Sequence, residues 1–115
     1  IILPIYIRSL TDGSEENQNS EKWFKAYTLD ISGGGVKISI DRSLEKGSLL
    51  ECKLKINDED LVLKGKVVRC QLAETDPIIR YEIGMSFVDI TEYQRVLIIR
   101  FIFEEQRVLR KKGFI

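Results

Sequence analysis

Apolar and polar residues alternate along most of this chain, a pattern typical of β-strands that have one buried and one exposed face. The clearest stretch is residues 49–56, in which Leu50, Cys52, Leu54 and Ile56 are separated by charged residues. Five other segments alternate in a similar way. The pattern predicts six strands, over residues 1–8, 22–31, 35–40, 49–56, 61–71 and 79–89.

The periodicity changes after residue 90 from that of a strand to that of a helix. Thr91 is followed three positions later by Gln94, which is typical of a capping box, and Gly113 provides a stop signal. These signals predict one C-terminal α-helix over residues 92–112. Its apolar residues lie on more than one helix face, so we expect the first half of the helix to be covered on more than one side.

The predicted fold class is mainly β, with a six-stranded antiparallel β-barrel and one C-terminal α-helix. Six sequential strands of this length can close into a small barrel, which leaves no exposed sheet edge. Residues 1–115 are predicted to form a single domain, with an exposed hairpin loop over residues 11–21, which contain no aliphatic side chain. Because the sequence starts inside the first strand without an initiator methionine, we expect an N-terminally truncated piece of a longer chain.

Composition excludes several functional classes. The 18 basic and 18 acidic side chains cancel, so no net field draws the chain towards nucleic acid or an anionic membrane. There is no histidine, and Cys52 and Cys70 are isolated within alternating segments, so a zinc site, a Ser-His-Asp triad and a disulfide are not expected. The longest apolar run is interrupted by Arg100 and is too short to span a membrane. We therefore expect a cytoplasmic domain that is not an enzyme and needs no metal.

The connection between the second and third strands carries the best candidate for a binding site. It runs from Asp30 to Gly35 and reads Asp-Ile-Ser-Gly-Gly-Gly. A carboxylate such as Asp30 can accept two parallel hydrogen bonds from the N1-H and N2-H edge of guanine, and Ser32 offers a hydroxyl on the same side. The glycines are expected to adopt positive φ and to let a ligand approach backbone N-H groups. Asp, Ser and Gly also make ordinary tight turns, so the residues alone leave both interpretations open.

This connection resembles the [D/N]-x-S-x-x-G motif of PilZ domains, bacterial receptors for cyclic di-GMP. Two further segments are similar to that family: Gly65–Arg69 to its G-x-V-x-R-like strand, and Ile83–Phe87 to its I-G-M-x-F-like last strand. The resemblance implies that cyclic di-GMP is the ligand and that its binding changes interdomain or partner contacts, controlling motility, biofilm or polysaccharide output. It also implies a set of ligand-binding residues in the turn: Asp30 and Ser32 at one guanine, Gly35 keeping the turn open, and Ile31, Gly33 and Gly34 beside them.

The sequence departs from the family at the second motif, a pair of arginines spaced R-x-x-x-R before the first strand. No two arginines here are four positions apart. Either the pair lies upstream of Ile1, together with an upstream domain, or the protein is a degenerate PilZ adaptor that binds a protein such as a flagellar-motor, pilus or polysaccharide-synthase component. Arg69 and Arg80 are candidates to approach the ligand from neighbouring strands. Residues 1–115 alone are expected to bind the nucleotide weakly or not at all.

Overall fold

A computed structural model describes residues 2–10, 22–111 and 113 of the chain. It confirms the predicted fold class of six antiparallel strands followed by one C-terminal helix. The hairpin loop expected at residues 11–21 lies outside the described residues, as do the predicted first residue of the first strand and the predicted last residue of the helix. The elements are β1 (Pro4–Ser9), β2 (Phe24–Ile31), β3 (Gly35–Ile40), β4 (Leu49–Ile56), β5 (Glu59–Glu74), β6 (Arg80–Val88) and α1 (Glu92–Lys111).

The strands form a closed barrel in the order β1-β2-β3-β6-β5-β4. All neighbours are antiparallel, and the β1–β4 pairing, in which Ile7 lies opposite Cys52, closes the barrel. Strand β5 extends beyond the predicted 61–71 at both ends. Asn57 and Asp58 adopt positive φ, which suits a two-residue hairpin and lets pairing begin at Glu59. The opposite end of β5 continues along β6 to Glu74.

The barrel interior holds the side chains from the apolar face of every strand. Ile38 and Ile83 are completely buried, and α1 adds Ile98 and Phe101 to the same core. Among the described residues the buried polar side chain is that of Thr28, whose hydroxyl accepts a hydrogen bond from the Leu3 backbone N-H at 2.9 Å. That bond compensates for the loss of water around the hydroxyl.

The start of α1 has the predicted capping box. The Thr91 hydroxyl accepts a hydrogen bond from the Gln94 backbone N-H at 3.1 Å, and the Gln94 side-chain oxygen accepts one from the Thr91 N-H at 3.1 Å. Two otherwise unsatisfied donors of the first turn are paired in this way. The capping box therefore defines the start of α1 shortly after the end of β6.

Candidate ligand-binding cleft

A β-bulge in β2 turns Asp30 outwards. Thr28 pairs with Ile38 on β3 but Asp30 pairs with Lys37, so Leu29 is an extra residue on β2. Strict alternation from buried Thr28 would direct Asp30 into the core, whereas both Leu29 and Asp30 are exposed. The bulge thus keeps the Asp30 carboxylate out of the core and places it on the outer surface.

A second bulge, in β5, does the same for an arginine. Val67 pairs with Met85 on β6 but Arg69 pairs with Gly84, which leaves Val68 as the extra residue. Val67 is buried, and both Val68 and Arg69 are exposed. The two bulged strands flank β3 and β6, so the two bulges direct one acidic and one basic side chain to the same side of the barrel.

The Ser32 side chain closes the β2–β3 turn. The Ser32 backbone N-H donates to the Gly35 carbonyl oxygen at 2.9 Å, and the Ser32 hydroxyl accepts a hydrogen bond from the Gly34 N-H at 3.2 Å. The Gly34 carbonyl accepts a hydrogen bond from the Phe87 N-H of β6 at 2.9 Å. The turn is therefore held by its own serine and anchored to the neighbouring strand.

The three glycines of the turn do not have positive φ, so that part of the sequence prediction is wrong. Steric crowding explains instead why two of the three positions need a residue without a side chain. A Cβ on Gly35 would overlap the Met85 carbonyl oxygen, and a Cβ on Gly33 would lie 3.2 Å from Arg95 Cγ and 3.3 Å from Ile99 Cδ1 on α1. A Cβ on Gly34 would meet nothing within 4 Å. The glycines thus let the turn approach β6 on one side and α1 on the other.

An open cleft of about 330 Å³ lies between the two bulges. Three charged side chains line it, Asp30, Lys37 and Arg69. Lys37 also lies 3.8 Å from a carboxylate oxygen of Glu82. The remaining lining residues are Ile31, Ser32, Gly35, Val36, Val68, Gly84 and Met85. The cleft therefore combines a carboxylate with two cations, a charge pattern that can recognise a ligand with both hydrogen-bond donors and phosphates.

The two arginines suggested by the sequence lie in different places. Arg69 lines the cleft, and a Cβ on Gly84 would lie 3.7 Å from Arg69 Cβ and 4.0 Å from Arg69 Nε, so the arginine crosses the strand beside a residue without a side chain. Arg80 is the first residue of β6. The next residue, Tyr81, pairs with Ile40, which is at the opposite end of β3 from Gly35. The Arg80 Nε donates to the Ser39 hydroxyl at 3.0 Å. The structure does not bring Arg80 to the cleft.

Three residues near the turn were missed by the sequence reasoning. Lys37 alternates with buried Val36 and Ile38 in β3, and a lysine at such an outward position gives no binding signal of its own. Gly84 leaves room for the Arg69 side chain, which only the β5–β6 register reveals. Arg95 belongs to α1 and contacts Gly33 only because the helix folds back over the turn. No local sequence signal could have placed Arg95 there.

A second cavity, of about 270 Å³, lies on the other side of the turn, between the end of β2 and α1. Asp30 and Ile31 line both cavities, and Phe101, Ile102 and Leu109 form much of the helix wall. The motif therefore separates the cleft from the cavity beside the helix. Because Gly33 contacts α1, a movement of the turn would change the packing of α1.

Other chemistry is limited within the part of the chain that the structure describes. Among those residues no three His, Cys, Asp or Glu side chains cluster as metal ligands. Cys52 and Cys70 are both free thiols, and burial raises the pKa of Cys52 to about 12. No helix among residues 2–10, 22–111 and 113 has the length and apolar character needed to cross a membrane.

Comparison with known proteins gives the family. The sequence model of the PilZ domain family matches residues 6–104, and the chain therefore belongs to this family. PilZ domains are receptor domains for cyclic di-GMP and are not enzymes. A comparison with curated protein sequences gives no match.

Solved structures with the same fold agree with this assignment. The crystal structure of the PilZ domain of CeSA from a cellulose-synthesizing bacterium has 16% identity and a TM-score of 0.59, over 92% of this chain and 94% of that chain. MrkH of K. pneumonia in its apo state has 16% identity and a TM-score of 0.73, over 95% of this chain and 49% of that chain. A second MrkH crystal structure has 18% identity and a TM-score of 0.65, over 90% and 46%. The chain spans about half the length of the MrkH chains.

Proposed function

We propose that this chain binds cyclic di-GMP in the cleft between the two bulges and acts as a sensor domain. The observation that carries the proposal is the meeting of Asp30, Lys37 and Arg69 around one turn, which depends on the bulges in β2 and β5. A cyclic dinucleotide presents guanine N-H donors, guanine acceptors and two phosphates. Each of these has a complementary group in the cleft.

Asp30 is proposed to read guanine. Its exposed carboxylate can accept hydrogen bonds from N1-H and N2-H together, a geometry that adenine cannot match. Ser32 is proposed to keep the turn in the shape that presents Asp30, because its hydroxyl already accepts a hydrogen bond from the Gly34 N-H. Its exposed position also leaves the hydroxyl within reach of the ligand.

Arg69 and Lys37 are proposed to supply positive charge. A guanidinium can pair with phosphate in a bidentate manner or donate to guanine O6 and N7, whereas a lysine ammonium acts as a point charge. The family's R-x-x-x-R arginines, if present upstream of Ile1, would complete the site from the opposite side. Two cations alone are few for a ligand with two phosphates, which is why residues 1–115 by themselves are expected to bind weakly.

Because the turn contacts α1, a bound ligand could change the position of α1 and so the contacts that the domain makes with a partner. Gly33 packs against Arg95 and Ile99, and Asp30 and Ile31 also line the cavity beside the helix. A ligand that orders the turn would favour one position of α1 over others. The output would then be a change in the contacts that α1 or an adjacent domain makes.

Isothermal titration calorimetry with cyclic di-GMP tests the proposal on the chain extended through its natural upstream segment. Removing a charge-assisted hydrogen bond costs about 2 kcal/mol, so Asp30→Ala is expected to weaken binding roughly thirtyfold. Arg69→Ala should have a similar effect. Arg100→Ala is the matched control, because Arg100 is exposed on α1 and does not line the cleft.

The same titration separates a sensor from an adaptor that binds no nucleotide. A sensor gives a saturable binding heat with cyclic di-GMP, and the affinity decreases in the Asp30→Ala and Ser32→Ala variants. No heat from the extended chain, or equal binding after both substitutions, would reject the proposed site and favour an adaptor that recognises a protein partner.

A further inference from the structure

The outer face of strands β4, β1 and β2 carries basic and aromatic side chains side by side. On β1, Tyr6 pairs with Lys25 of β2 on one side and with Lys53 of β4 on the other. Tyr6 and Tyr27 are 37% and 40% exposed. We call this surface, defined by Tyr6, Arg8, Trp23, Lys25, Tyr27 and Lys53, the cationic aromatic face.

Cations on this face are held against aromatic rings. The Arg8 guanidinium lies 4.5 Å from the Trp23 ring centroid, and the Lys53 ammonium lies 4.7 Å from the same centroid. The Lys25 ammonium lies 5.4 Å from the Tyr27 centroid. Attraction between a cation and a ring limits the freedom of a long side chain, so these charges are partly ordered before any partner arrives.

Two of the three cations have no carboxylate partner in the described part of the chain. Arg8 pairs with Glu51 at 2.7 Å, but no described carboxylate oxygen lies within 4.0 Å of the Lys25 or Lys53 ammonium. The chain as a whole has no net charge, but among the residues that the structure describes, strand register brings three cations and the Glu51 carboxylate together on this face. None of the residues of the cationic aromatic face lines the cleft around Asp30.

We propose that the cationic aromatic face docks an acidic segment of a protein partner. Trp, Tyr and Arg are the residue types that most often dominate protein interfaces, and Lys25 and Lys53 complement carboxylates. Single-stranded nucleic acid fits less well. Its bases need free ring faces for stacking, whereas Trp23 already has two cations near its ring, and Glu51 interrupts the track that a phosphate chain would follow.

Strand spacing defines the partner further. Lys25 and Lys53 are two strands apart, so their backbones are separated by about 10 Å, with Tyr6 between them. The matching segment would place two carboxylates about that far apart and an apolar side chain over Tyr6. The cationic aromatic face shares no residue with the cleft, so this proposal can be tested separately from that of nucleotide binding.

The test is an NMR titration of the isotope-labelled chain with a synthetic peptide of Glu-Glu-Leu repeats. A Gln-Gln-Leu peptide and single-stranded oligo-dT of matched length serve as comparisons. We expect the acidic peptide to shift the amide signals of Tyr6, Lys25 and Lys53 with submillimolar affinity. The neutral peptide should shift none of them.

Charge reversal separates a docking surface from general attraction. The double variant Lys25→Glu/Lys53→Glu should bind the acidic peptide about tenfold more weakly than Lys46→Glu/Lys111→Glu, which makes the same change in net charge at exposed lysines elsewhere. Circular dichroism verifies that both variants are folded. No binding of the acidic peptide, equal weakening in both double variants, or tighter binding of oligo-dT would overturn the proposal.

Discussion

Replacing Gly35 with alanine should open the barrel beside the candidate site. The added Cβ would overlap the Met85 carbonyl oxygen and lie 3.3 Å from Ser86 Cα. Both atoms belong to the backbone of β6, which is paired on both sides, so neither can move as a flexible side chain could. The Gly35–Ser86 pair must separate, and the adjacent hydrogen bond from Phe87 N-H to the Gly34 carbonyl is stretched.

The magnitude follows from these contacts. Overpacking against fixed atoms costs about 1–3 kcal/mol, and weakening one backbone hydrogen bond costs about 1 kcal/mol. The unfolded chain has less conformational entropy with alanine than with glycine, and this offsets roughly 0.5 kcal/mol of the loss in stability. The expected net loss for Gly35→Ala is about 2–3 kcal/mol in the free energy of unfolding, or a decrease of roughly 10 °C in Tm.

Gly34→Ala is the matched control one residue away. Its Cβ would meet no atom within 4 Å, and its φ lies outside the left-handed region, so the variant should be neutral or about 0.5 kcal/mol more stable. Gly33→Ala should fall between the two, because Arg95 and Ile99 can shift their side-chain atoms.

Urea denaturation monitored by Trp23 fluorescence measures all three variants under the same conditions. We expect Gly35→Ala to be the least stable variant, followed by Gly33→Ala and then Gly34→Ala. A Gly34→Ala variant as unstable as Gly35→Ala would refute the steric explanation and would indicate that the run of glycines is needed for backbone flexibility.

Three further predictions follow from burial and charge. Because burial raises the pKa of Cys52 to about 12, a thiol reagent at neutral pH should modify half-exposed Cys70 first, and mass spectrometry of the digested chain checks the order. The Arg42 side-chain hydrogen bond lowers the pKa of Asp41 below its ordinary 3.8, so an NMR titration should find a higher pKa in Arg42→Ala. Since the folded pKa is the lower one, the stabilisation is present above pH 3.8 and is lost as the pH falls through the folded pKa. Ile38→Ala should cost about 2–5 kcal/mol in denaturation, because Ile38 is fully buried; a loss below about 1 kcal/mol would contradict its place in the core.

The strands and the helix could be predicted from the sequence because each strand carries its own alternation of apolar and polar residues. Residues 49–56 read as a strand with one buried face whatever their neighbours are, and the Thr91–Gln94 capping box is a local signal. The resemblance to PilZ domains points to the β2–β3 turn, and that turn lines the cleft between the two bulges. These are properties that a short stretch of chain carries within itself.

The parts that could not be predicted depend on partners distant in sequence. Alternation alone would direct Asp30 and Arg69 inwards, and only the pairing of β2 with β3 and of β5 with β6 reveals the bulges that expose them. Gly35 looked like a flexible turn residue, yet its requirement comes from Met85, which is fifty positions further along the chain. Strand register, which is a property of pairs, therefore builds the candidate site.

Binding of cyclic di-GMP in the cleft beside the β2–β3 turn can be followed residue by residue by NMR titration of the isotope-labelled chain. The method detects weak binding, so it applies even if further cations lie upstream. We expect cyclic di-GMP to shift the amide signals of Ser32, Gly34 and Gly84, while those of Tyr6 and Lys53 on the opposite strands stay in place. Saturable shifts confined to other surfaces, or no shifts with the upstream segment present, would contradict it.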